Sequence, residues 1–81
     1  MKNILIRYCP VWLGYPEAAV AAQEELKKEF PKWNVSIKEG ERGEFTVNEV
    51  SNSRMTSVYY NKENNNRFPN KNELIEIFNK G

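Results

Sequence analysis

From Asn3 to Tyr8 the chain alternates, Ile4, Ile6 and Tyr8 against Asn3, Leu5 and Arg7. A two-residue period that is apolar on one side and largely apolar on the other predicts an interior strand covered on at least one face. At Pro16 the period changes. Ala19, Ala22, Leu26 and Phe30 recur at helical spacing, while Glu17, Gln23, Glu24, Lys27 and Lys28 fill the positions between them, which predicts an amphipathic helix. Its charges complement the helix dipole, with Glu17 at the N-terminal end and Lys27 and Lys28 near the C-terminal end, and Pro31 forbids continuation. Pro16 suits the first helical turn, where the N–H it lacks has no intrahelical partner, so the helix should begin near Tyr15.

Alternation returns after Trp33. Val35 and Ile37, then Phe45 and Val47, then the Thr-, Val- and Tyr-rich run Met55 to Tyr60 predict three more strands. In the last of these, Tyr59 and Tyr60 should point to opposite faces. Gly40 and Gly43 bound the first connection, and the short Ser51-Asn52-Ser53 connection predicts an antiparallel hairpin between the third and fourth strands. Asn61 to Pro69, including Asn64-Asn65-Asn66, reads as one long solvated loop. Asn70 followed three residues later by Glu73 resembles a capping box with Asn in place of Ser or Thr, and Leu74, Ile75, Ile77 and Phe78 give a final short helix its apolar stripe. The order is β-α-β-β-β-α, an α/β chain with no internal repeat and no linker, read as a single domain over residues 1–81.

Composition narrows the chemistry. At 81 residues the core is small, and one cysteine cannot form an internal disulfide to reinforce it, so a reducing cytoplasm is the expected compartment. Apolar runs are short, and Met1-Lys2-Asn3-Ile4 has neither the apolar core nor the cleavage site of a signal peptide, so no membrane association is expected. A net charge of +1, with both signs interspersed, offers no field to gather nucleic acid or anionic lipid. A double-stranded RNA-binding domain would also need basic residues opening the last helix, where this chain has Asn70-Lys71-Asn72-Glu73. The sequence contains no His and no Asp, which excludes Ser-His-Asp and Cys-His catalysis and imidazole-ligated metal sites. Gly40-Glu41-Arg42-Gly43 lacks the Gly-Lys-Ser/Thr of a phosphate loop and reads as a turn.

What remains is Cys9, where the first strand gives way to a loop and then a helix. Only the thiolate is a nucleophile, and a helix N-terminus aimed at the sulfur is the usual way to favour it. A second cysteine three residues on would complete a redox dithiol, but that position is Trp12, which reads as a hydrophobic lid over the junction. A helix starting near Tyr15 leaves Cys9 several residues short of the dipole, and Arg7 is the only cation nearby in sequence. The residues therefore predict little depression of the thiol pKa.

Several segments carry a resemblance to a known family. Ile6-Arg7-Tyr8-Cys9-Pro10, Ala22-Gln23-Glu24-Glu25-Leu26 with Phe30-Pro31, Gly43-Glu44-Phe45-Thr46-Val47, and Arg67-Phe68-Pro69-Asn70-Lys71-Asn72-Glu73-Leu74 together resemble the selenoprotein W-like, or Rdx, group of thioredoxin-like proteins. The resemblance implies a thioredoxin-like two-layer sandwich, with a four-stranded mixed sheet and two helices. It also implies a Cys-x-x-Cys or Cys-x-x-selenocysteine at the strand–helix junction. Cys9 matches the first position of that motif and Trp12 stands at the second, so a dithiol cycle cannot run within this chain. The expected activity is that of a monothiol, with Cys9 forming mixed disulfides that an external thiol such as glutathione resolves, and with no resident cofactor or metal. Pro10, Val11, Trp12, Leu13 and Tyr15 are the candidate contacts for a substrate or protein partner. The alternative is a non-redox interaction module that uses the apolar surface from Val11 to Tyr15. Kinship and chemistry alike are expected to need the sulfur protruding at the tip of the first strand.

Overall fold

The computed structural model describes residues 2–52, 54–65, 67–70 and 72–80. Strand β1, Asn3–Tyr8, has the bounds its alternation predicts. Helix α1, Tyr15–Glu29, starts where expected because Gly14 turns the backbone into the left-handed region at φ 87° and Pro16 fits the first turn. It ends with the Phe30 N–H donating to the Leu26 carbonyl at 2.8 Å, ahead of Pro31. Strands β2 (Asn34–Glu39), β3 (Phe45–Ser51) and β4 (Arg54–Asn61) follow, then a one-turn helix α2 (Lys62–Asn65) and helix α3 (Glu73–Lys80).

The sheet order is β2-β1-β3-β4. Strands β1 and β2 run parallel, which requires a crossover, and α1 supplies it; β1–β3 and β3–β4 are antiparallel. Register places Ile4 beside Val35, Ile6 between Ile37 and Val47, and Tyr8 beside Phe45, so these residues share one face. Against that face α1 lays Tyr15, Ala19, Ala22 and Leu26, and α3 lays Leu74 and Phe78. The apolar residues read from the two periods thus meet as a single core. Burying each large aliphatic side chain there contributes about 1.5–3 kcal/mol.

No helix covers the other face among the described residues. Asn48 is buried there because its side-chain amide donates to the Leu5 carbonyl at 3.1 Å and to Thr46 Oγ1 at 2.9 Å. At the end of the sandwich remote from Cys9, Phe30 stacks on Trp33 with ring centroids 3.9 Å apart, and Phe78 meets Trp33 edge-on at 5.2 Å.

Two details differ from the expectations. Tyr59 and Tyr60 do not face opposite ways, because the pairing steps from Val47↔Tyr60 to Asn48↔Val58 and leaves Tyr59 in a bulge. Tyr60 packs near Phe45, while the Tyr59 ring lies 4.4 Å from Phe78 on the same helix-covered side. The long loop is also shorter than expected: Asn61 completes β4, and α2 forms where Lys62 Nζ sits 5.3 Å from the Tyr15 ring and 5.1 Å from that of Phe68. The antiparallel hairpin expected between β3 and β4 forms, with Asn52 in its turn at φ 52°, a conformation asparagine tolerates, and Ser53 outside the described residues.

Ahead of α3 the Glu73 carboxylate accepts the Asn70 N–H at 2.8 Å, the glutamate half of the expected capping box. Lys71 and Asn66 lie outside the described residues. No helix among the described residues is long and apolar enough to cross a membrane.

Candidate functional site

The end of β1 is fastened to the β2–β3 loop. The Gly40 N–H donates to the Tyr8 carbonyl and the Cys9 N–H to the Glu44 carbonyl, both at 2.7 Å. The loop is held in turn by the Glu44 carboxylate, which accepts the Glu41 N–H at 2.8 Å and lies 3.6 Å from Arg7 Nε. Arg7 is therefore committed to Glu44. In the cleft that Arg7 shares with Glu41, Arg42 and Glu44, two carboxylates balance two guanidinium groups, so it carries no net charge to hold an anion.

From Cys9 the chain runs over the end of the sheet as an irregular loop, Pro10 to Gly14, before α1 begins. The Tyr15 N–H returns to the Trp12 carbonyl at 3.3 Å and the Ala18 N–H to the Gly14 carbonyl at 3.0 Å, which closes the loop onto the helix start. Its tip is apolar and open: Val11 is 68 %, Trp12 47 % and Leu13 96 % exposed. Tyr15, expected on the same surface, is buried beneath it at 7 % and meets the rings of Trp12 and Phe68 edge-on. Pro10 is half-buried.

Cys9 has no exposed surface, which overturns the expectation of a protruding sulfur. The physical reason is packing: Cys9 belongs to the core cluster that also holds Tyr15, Ala19 and Phe45. Nearby, the outer edge of the Trp12 indole packs against Gly43.

The electrostatics also differ from the sequence reading. Burial pushes the Cys9 thiol up, but the backbone N–H groups of Gly43, Val11 and Trp12, and the charge of Arg42 after them, favour the thiolate. Together they outweigh desolvation and hold the thiol below its ordinary pKa. The helix dipole is not the cause, in keeping with a helix that starts six residues later.

Gly43 and Arg42 were not singled out from the sequence for this role. Glycine at Gly43 was the available signal, since it sits at φ 78° and an L side chain there would be strained. Among the described residues no group of three His, Cys, Asp or Glu side chains is placed to hold a metal ion.

The Rdx family model matches residues 3–80, almost the whole chain. The chain belongs to the Rdx family. Its fold is the thioredoxin-like α/β sandwich that family membership implies, and a sealed sulfur is compatible with that kinship, contrary to expectation. A crystal structure of a Bordetella parapertussis protein superposes with a TM-score of 0.72 at 26 % identity, covering 98 % of this chain and 95 % of that one. No curated protein matches.

Proposed function

We propose that this Rdx protein is a monothiol redox protein in which Cys9 forms reversible mixed disulfides. The reading is supported by the place of Cys9 at the end of β1, where the Gly43, Val11 and Trp12 N–H groups and the Arg42 charge hold its thiol below the ordinary pKa despite burial. The Cys9 thiolate attacks one sulfur of oxidised glutathione, forming the protein–glutathione disulfide and expelling the other half as a thiolate that takes a proton from water. A second glutathione thiolate then attacks the mixed disulfide, restoring Cys9 and releasing oxidised glutathione. With Trp12 at the second position no internal resolution exists, so an external thiol is required. A reducing, thiol-rich cytoplasm fits that requirement.

Incubating the folded protein with oxidised glutathione and measuring intact mass tests this directly. One glutathionyl adduct on Cys9 is expected, reversed by reduced glutathione. An unmodified folded protein beside a modified unfolded control would refute the proposal.

A second reading is favoured by the exposure of Val11, Trp12 and Leu13 above a sealed sulfur. On that reading the loop tip is an apolar contact for a protein partner and Cys9 is structural. Trp12→Ala would then weaken capture of the partner while Cys9→Ser would not, and the reverse pattern would favour the thiol.

A further inference from the structure

We propose that the free edge of β4 is a self-association surface whose occupant is the same edge of a second copy of this chain. The two strands pair antiparallel about a two-fold axis, with Met55 of each copy facing Val58 of the other. An axis normal to the sheet joins two four-stranded sheets into one of eight strands and keeps the helices of both copies on one side.

A sheet edge presents a row of backbone N–H and C=O groups whose chemical complement is another extended strand, and folded chains commonly guard such edges. The two edges of this sheet, β2 and β4, are treated differently. On β2 the Asn34 N–H turns inward to the Lys2 carbonyl at 3.0 Å, so the next residue, Val35, directs its backbone groups outward. There the Gln23 side-chain amide donates to the Val35 carbonyl at 2.8 Å, in the place a further strand would take. Lys38 and Glu39 put charge on the end of the same strand.

Neither guard is present on β4. Residues Arg54 to Val58 are all exposed, and no charged residue stands between Met55 and Asn61. Among the described residues no strand pairs with its outer side. Val58 pairs with Asn48 and Met55 with Val50, positions on the face opposite the helices, where the two side chains remain 59 % and 51 % exposed. They share that face because the register shift between Glu49 and Val50 gives β4 an extra residue, Thr56; in an unbroken alternation residues three apart face opposite ways.

Facing residues of an antiparallel pair must share a face, and Met55 and Val58 do. With the axis between Thr56 and Ser57, the pairing gathers four exposed apolar side chains from two copies into one cluster. Both copies carry the same bulge, so every residue from Arg54 to Tyr59 has a counterpart. Each Arg54 stands level with Tyr59 of the other copy, at opposite ends of the paired segment, and no like charges meet. Six residues on each strand make a small interface, and the expected dissociation constant is about 0.01–1 mM.

Sedimentation equilibrium of the full chain from about 10 µM to about 1 mM tests the pairing. Its weight-average mass should rise from that of one chain towards that of two. Val58→Lys sets a lysine against Met55 of the other copy and should weaken the association by about tenfold or more. Ser36→Lys, at an exposed position on the guarded edge, should leave it unchanged. Circular dichroism establishes that each variant is folded, and if Val58→Lys is not, Met55→Lys must weaken the dimer in its place or the pairing is refuted.

The mass of a single chain at about 1 mM overturns the proposal. A dimer that folded Val58→Lys leaves intact, or that Ser36→Lys weakens equally, overturns it as well. If that dimer is lost in Trp12→Ala and kept in Val58→Lys, the contact belongs to the apolar loop tip and not to β4.

Discussion

Replacing Gly43 by alanine and comparing the result with Gly14→Ala isolates the contact on which the site closes. Both glycines hold positive φ, 78° and 87°, and both substitutions force an L-residue into the left-handed region. That costs about 1–2 kcal/mol, offset by about 0.4–1 kcal/mol from the stiffer unfolded chain. Gly14 has nothing within 4 Å of the added carbon, so its alanine variant should lose only the backbone part, about 1 kcal/mol. At Gly43 the same carbon would stand 3.1 Å from the half-exposed Trp12 indole, so the ring must shift by a few tenths of an ångström, weakening its edge-to-face contact with Tyr15 at a cost of about 0.5–1.5 kcal/mol. Gly43→Ala should therefore lose about 1.5–2.5 kcal/mol, and its Tm should fall by about 4–8 °C for each kcal/mol. Urea denaturation followed by circular dichroism measures both variants. In a Trp12→Ala background the extra cost should vanish, leaving Gly43→Ala equal to Gly14→Ala. Equal losses in the wild-type background, or an extra loss that persists without the indole, would refute the contact.

Other variants probe the core and the charged groups. Leu26, fully buried where α1 meets the sheet, should lose about 2–5 kcal/mol on conversion to alanine, read from the urea midpoint at constant slope. The Arg67 guanidinium, bidentate to Glu73 at 2.6 and 2.9 Å, and the Asn70 N–H hold the Glu73 carboxyl at about 2. Because that pKa is depressed, the stability it contributes is full above the ordinary value of 4.5 and is lost as pH falls towards about 2. Urea midpoints should drop across that window, and Arg67→Met should flatten the drop; an equal slope in both proteins would contradict the pairing. The hydrogen bond from Tyr59 to Glu49, then burial, raises the Tyr59 pKa, so its contribution is present below about pH 10 and lost as pH rises through the raised value. Glu49→Gln should lower the Tyr59 midpoint in an absorbance titration at alkaline pH; an unmoved midpoint would contradict that cause.

Much of the fold was legible because it rests on local rules. The alternation of β1 and the Gly14-Tyr15-Pro16 helix start are read from neighbouring residues, and the structure reproduces them. The facing of Tyr59 was not legible, since a bulge depends on how β4 meets β3 and leaves no periodic trace. The site was legible by half. Cys9 and Trp12 declare themselves by position, whereas the Gly43 donor and the Arg42 charge reach the sulfur through a loop far along the chain. The burial of Cys9 escaped the sequence for a related reason: a residue just past the last alternating position of a strand carries no pattern that says whether the core includes it.

Labelling Cys9 with carbon-13 at Cβ and following its chemical shift against pH reads the ionisation of the sulfur without a reagent that must reach it. A midpoint below that of the same chain in urea is the result expected from three backbone donors and Arg42 acting on the sulfur. A midpoint at or above the urea value would mean that desolvation prevails and that Cys9 is an inert core residue.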